Sequence, residues 1–156
     1  MSDRSVHSTV ALRIFLSVAV YLVSACGSSP TAPSPPSISG QWTGAYRVST
    51  CTEPVPPTGL CAALGGGGDM TLTPSQSGSN FTGLLTMGVF GISVSGNVGA
   101  DHVVTLAGSG PISTATLTVT AWRAILSGTS MTGTMTFTVF GGGQTVIVNA
   151  TTALAR

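Results

Sequence analysis

Met131-Thr132-Gly133-Thr134-Met135-Thr136-Phe137-Thr138-Val139 alternates without a break. On an extended chain its four threonines fall on one side and Met, Gly, Met, Phe and Val on the other, the period-two signature of a strand. At 3.6 residues per turn the same residues would mix on every face, so no helix can hold the two sets apart. The segment predicts a strand with one hydroxyl-bearing face and one apolar face.

The flanks extend the pattern. Ser127-Gly128-Thr129 and Gly141-Gly142-Gly143 bracket the strand with turn chemistry, because glycine supplies positive φ and serine bonds locally to backbone. Residues 114–126 alternate as well, with Leu117, Val119, Ala121, Arg123 and Ile125 on the inward-reading side and Thr116, Thr118, Thr120 and Trp122 on the other. Trp42, Gly44, Tyr46 and Val48 share a face near the start. Eight strands are predicted, near 39–49, 68–75, 80–88, 91–98, 102–108, 114–126, 130–140 and 144–154. Short connections make neighbours antiparallel and the order up-and-down. The fold class is therefore all-β, an eight-stranded antiparallel up-and-down barrel over residues 38–156, with a two-sheet sandwich as the alternative.

Charge favours the closed form. The chain of 156 residues has five basic and four acidic residues and no lysine. Exposed sheet edges are ordinarily blunted with charge, and closure removes the edges instead. The same scarcity excludes a nucleic-acid surface, which needs clustered Lys and Arg.

The N-terminal part reads differently. Arg4 and Arg13 precede an apolar run ending near Val23, and Ser24-Ala25 are small residues at a cleavage position, as in a signal peptide over 1–25. Val23-Ser24-Ala25-Cys26 resembles the bacterial lipobox. That resemblance implies a lipidated Cys26, a membrane partner through the N-terminal lipid anchor, and, with Gly27 following, the outer membrane of a bacterial cell envelope. A plain secretory signal is the alternative. Residues 26–37, rich in Pro and Ser, read as an extended tether. With Cys26 set aside, Cys51 and Cys61 remain as an even pair for a disulfide in an oxidising compartment.

Gly40-Gln41-Trp42 at the head of the first strand resembles the Gly-x-Trp opening of the calycin-like barrels, the lipocalins and avidins and their bacterial relatives. In that group the tryptophan plugs one barrel end against an arginine from a later strand, a part for which Arg123 is the candidate. The resemblance implies a binding module, with a small apolar ligand inside the barrel lined by Trp42, Tyr46, Met87, Arg123, Met135 and Phe137. A second reading uses the Cys51–Cys61 loop to engage a protein, as barrel-type bacterial protease inhibitors combine a similar start with one disulfide. A third is a purely structural envelope protein.

Catalytic chemistry has little to draw on. His102 beside Asp101 at a turn reads as a solvated residue, and Glu53, Asp69 and Asp101 are scattered. Metal ligation needs three or four convergent donors, so no metal or cofactor is expected. Gly65-Gly66-Gly67-Gly68 lacks the Lys-Ser/Thr and helix of a phosphate loop and reads as a connector. No enzyme is expected.

Overall fold

The computed structural model describes residues 33–156. Residues 1–25, expected to be a signal peptide, Cys26 and the first part of the expected tether lie outside the described residues. Eight strands follow in order: β1 Trp42–Thr52, β2 Gly67–Ser77, β3 Asn80–Met87, β4 Phe90–Val98, β5 Val103–Ile112, β6 Ala115–Ser127, β7 Ser130–Gly141 and β8 Gln144–Ala155. Each pairs antiparallel with the next and β8 pairs with β1, so the sheet closes into a barrel. The sandwich alternative is thereby set aside. A short helix, α1 Leu60–Leu64, lies between β1 and β2.

Alternation decides which side chains enter the barrel. In β7, Met131, Met135, Phe137 and Val139 are buried, while Thr132 and Thr134 stand exposed. One inner row runs Phe81, Gly96, Leu106, Trp122, Met135, Ala150 and Val48 around the wall. The next runs Val94, Gly108, Val119, Phe137, Val148 and Cys51. Large and small residues interleave along each row, as a filled barrel interior requires. The wall is apolar inside and largely hydroxyl-bearing outside.

The inner glycines mark close approaches, not spare volume. A Cβ at Gly96 would collide with the backbone oxygen of Thr105 and stand 2.5 Å from Phe81 Cζ. One at Gly133 would meet the backbone oxygen of Arg123 and lie 2.5 Å from Ala124 Cα. Such glycines let a strongly coiled sheet close.

Strand β6 departs from the simple alternation. A bulge shifts its register against β7 between Val119 and Ala121, so Val119 faces Phe137 but Ala121 faces Thr136. Leu117 and Val119 point inward as expected, and beyond the bulge the parity inverts. Trp122, Ala124 and Leu126 become buried, and Ala121, Arg123 and Ile125 become exposed. One extra residue flips every later side chain to the other face. The expectation that Arg123 faces inward is corrected accordingly.

Both barrel ends are closed. At the base, where β1 begins, Ile38 is fully buried and its carbonyl accepts a 2.7 Å hydrogen bond from Trp42 Nε1. At the opposite pole Leu60, Cys61 and Leu64 of α1 pack on the core. The predicted connector at residues 65–68 is partly strand. Gly67 and Gly68 pair with Arg47 and Tyr46, and the Tyr46 ring lies over Gly68.

Candidate functional site

The residues predicted to line an interior pocket divide between two environments. Trp42, Tyr46, Met87, Met135 and Phe137 all point into the barrel and are at most 7% exposed. Tyr46 meets Phe137 edge-on, with ring centroids 6.1 Å apart, a favoured aromatic geometry. Burial pushes the Tyr46 hydroxyl above its ordinary pKa. Met135 lies beside Trp122 across the β6–β7 ladder, and Met87 beside Met70 across β2–β3. These five belong to one continuous core cluster. Arg123 stands outside, on the wall.

Trp42 still has a cationic partner, and it is Arg156. The guanidinium carbon sits 4.6 Å from the Trp42 ring centroid, within cation–π range. The signal for it was present. Inward parity along β8 runs Val146, Val148, Ala150, Thr152, Leu154, and one more step of two reaches Arg156. The Thr43–Ala155 pairing places Arg156 across from Trp42 by the same count.

One polar pair lies deep in the core. Trp122 Nε1 donates to Thr152 Oγ1 at 2.8 Å, and the two residues are 1% and 4% exposed. Each satisfies the other, so the pair reads as structural.

The catalytic inventory of the described residues is slight. His102 sits in a turn at φ 65°, and Asp101 Oδ1 accepts from the Val103 amide at 3.2 Å, which is turn chemistry. No group of three or more His, Cys, Asp or Glu is placed to hold a metal ion among the described residues.

The pole opposite the base is built differently from the rest of the surface. The Cys51–Cys61 disulfide, with Cα atoms 5.7 Å apart, ties the end of β1 to α1. Glu53 braces the loop between them: Oε1 accepts from the Cys61 amide at 2.8 Å and from the Thr58 hydroxyl at 2.8 Å. The Cys61 amide is the main reason the Glu53 carboxyl is held below its ordinary pKa. From this braced loop Val55 projects, 95% exposed. The β3–β4 turn adds Val89, 88% exposed, with Phe90 beside it, and the end of β7 adds Phe140. Leu84 and Ile147 are exposed on the outer wall of β3 and β8. Of the large apolar side chains exposed among the described residues, only Ile125 lies toward the base.

The outer wall carries two shallow clefts of about 420 and 480 Å³ across β3 to β6. They share Ser95 and Ala107 and are lined largely by small and hydroxyl-bearing residues, with Arg123 at one side. The bulge in β6, which shifts its register against both β5 and β7, brings Ala121 outward there, beside Ala107, which faces outward by unbroken alternation along β5. Simple alternation along residues 114–126 reads Ala121 as inward.

No protein-family model matches the chain, and no curated protein matches it.

Proposed function

We propose that this chain is a non-enzymatic interaction module of a bacterial envelope, anchored to a membrane through lipidated Cys26 and engaging a protein partner with the pole that carries the Cys51–Cys61 loop. The reading rests on one observation. Val55, Val89, Phe90 and Phe140, on the β1–α1 loop, the β3–β4 turn and the end of β7, are all exposed at the pole opposite the one where the chain enters the barrel. The concentration of large exposed apolar side chains at one end of an otherwise polar barrel supports an interaction site there. The disulfide and Glu53 hold the loop in shape before binding, which lowers the ordering cost of association. The lipobox-like Val23-Ser24-Ala25-Cys26 and the Pro-rich tether support the anchor and an outer-membrane address. Two acyl chains or more give a stable attachment.

Under this reading Trp42, Tyr46, Met87, Met135 and Phe137 are core. A small apolar ligand would have to displace them from one another, so the interior-ligand reading has less in its favour.

The test is capture from host envelope extract with the wild-type chain and with a Val55→Ser, Val89→Ser, Phe140→Ser variant. A protein retained by the wild type and lost by the variant supports the reading. The same protein retained by both removes the pole from the account.

A further inference from the structure

Residues 36–39 form no strand, yet their backbone is held along its whole length. The Pro36 carbonyl accepts from Gln76 Nε2 at 3.1 Å, and the Ser37 carbonyl from an Arg156 guanidinium nitrogen at 3.1 Å. The Ile38 carbonyl accepts from Trp42 Nε1 at 2.7 Å, and the Ser39 carbonyl from the other Arg156 nitrogen at 2.9 Å. Four consecutive carbonyls are thus read by three side chains. The Ile38 amide donates to Gln76 Oε1 at 2.7 Å, so one amide side chain grips the backbone on both sides of Ser37. Between these bonds the Ile38 side chain is fully buried in the core.

The gripping residues are themselves fixed. Gln76 Nε2 also donates to the Gly78 carbonyl at 2.8 Å, the Arg156 amide donates to the Thr129 carbonyl at 3.1 Å, and the guanidinium lies over Trp42. Backbone groups are obligatory hydrogen-bonding groups, and a segment without a ladder usually gives them to water. Here the barrel supplies a row of donors matched to an extended chain, and a socket for one aliphatic side chain.

We propose that the base of the barrel is a binding site for a short extended peptide bearing one aliphatic residue, and that the chain fills it with its own residues 36–39 as a strap. The strap locks the last part of the tether to the barrel. Among the described residues the strap begins near Pro36, and the direction in which residues 33–35 leave the barrel is set by Gln76, Arg156 and the Ile38 socket. The lock does not depend on lipidation of Cys26 or on any partner at the opposite pole.

Amide hydrogen exchange on the full chain tests it, because exchange reports local opening residue by residue. In the wild type the Ile38 amide is expected to exchange at least about tenfold more slowly than that of Ser34. Gln76→Ala should abolish that difference while the Val104 and Phe137 amides keep their protection. Arg156→Ala gives an independent reading: Trp42 emission should shift to the red as its ring becomes wet, with core amides unchanged. A wild-type Ile38 amide as fast as that of Ser34 overturns the proposal. So does a variant in which Ile38 and the core amides lose protection in equal measure, since the strap would then have no separate existence. Loss of membrane attachment in a Cys26→Ser chain bears on the anchor alone and leaves these readings unaltered.

Discussion

Thr152→Val replaces the buried polar partner of Trp122 with an apolar residue of nearly the same shape. Two effects oppose each other. Exchanging hydroxyl for methyl favours burial by about 0.8 kcal/mol. Removing the acceptor leaves the Trp122 indole N–H without a partner in a residue only 1% exposed, which costs about 1–3 kcal/mol. The second effect wins, and the net destabilisation is about 1 kcal/mol by these two figures. In a domain of this size that lowers Tm by about 4 °C. Hydrophobic accounting alone predicts the opposite sign. Thermal and urea denaturation of the Cys26→Ser chain give the value, and a double-mutant cycle with Trp122→Phe isolates the bond. With the indole N–H gone, Thr152→Val should become neutral or stabilising, for a coupling of about 2 kcal/mol. A rise in Tm for Thr152→Val in the wild-type background would refute the reasoning, as would a coupling below about 0.5 kcal/mol.

Three further outcomes follow from the same structure. Gly96→Ala should destabilise by about 1–3 kcal/mol because its Cβ meets the Thr105 carbonyl and Phe81, whereas Ala121→Ser on the outer wall should stay within about 0.5 kcal/mol; urea midpoints distinguish them. Arg123→Ala should leave Tm and Trp42 emission unchanged, since Arg123 is exposed on the wall and Arg156 covers the ring. The Glu53 carboxyl has a lowered pKa in the folded chain, so its bracing is fully present above the ordinary carboxylate pKa and is lost as pH falls through the lowered value. The Cys61 amide resonance should titrate across that acidic window, and Glu53→Gln should abolish the titration.

The strands were legible because their two faces differ in chemistry at every second residue. Nothing in residues 131–139 conflicts with the alternation, and the structure follows it throughout. Residues 119–122 are different. Thr120 and Ala121 are both tolerable on either face, so nothing at the bulge itself marks it, and the only signal lies just downstream, where unbroken alternation would put Arg123 inside and Trp122 outside. Trp122 and Arg123 were misplaced together for that reason. Helix α1 was missed because five residues carry too little periodicity to register, although Leu60-Cys61-Ala62-Ala63-Leu64 does place Leu60 and Leu64 one turn apart. The expected disulfide formed between the two cysteines left after Cys26, and the tryptophan at the head of β1 does close the base. The strap was not legible at all. Its recognition runs through backbone carbonyls, which every sequence possesses, and the one informative side chain, Ile38, stands alone at the first residue after the Pro- and Ser-rich tether, with no periodic neighbour to mark it as buried.

The proposed site is a matter of which pole meets a partner, and that can be read directly. A photo-crosslinking amino acid placed at Val55 or Val89 samples the loop pole, and one at Thr134 samples the outer wall. With the chain produced in its own host, irradiation should join a second protein to the chain from positions 55 and 89 and not from 134. Adducts from position 134 with none from 55 and 89 would contradict the account.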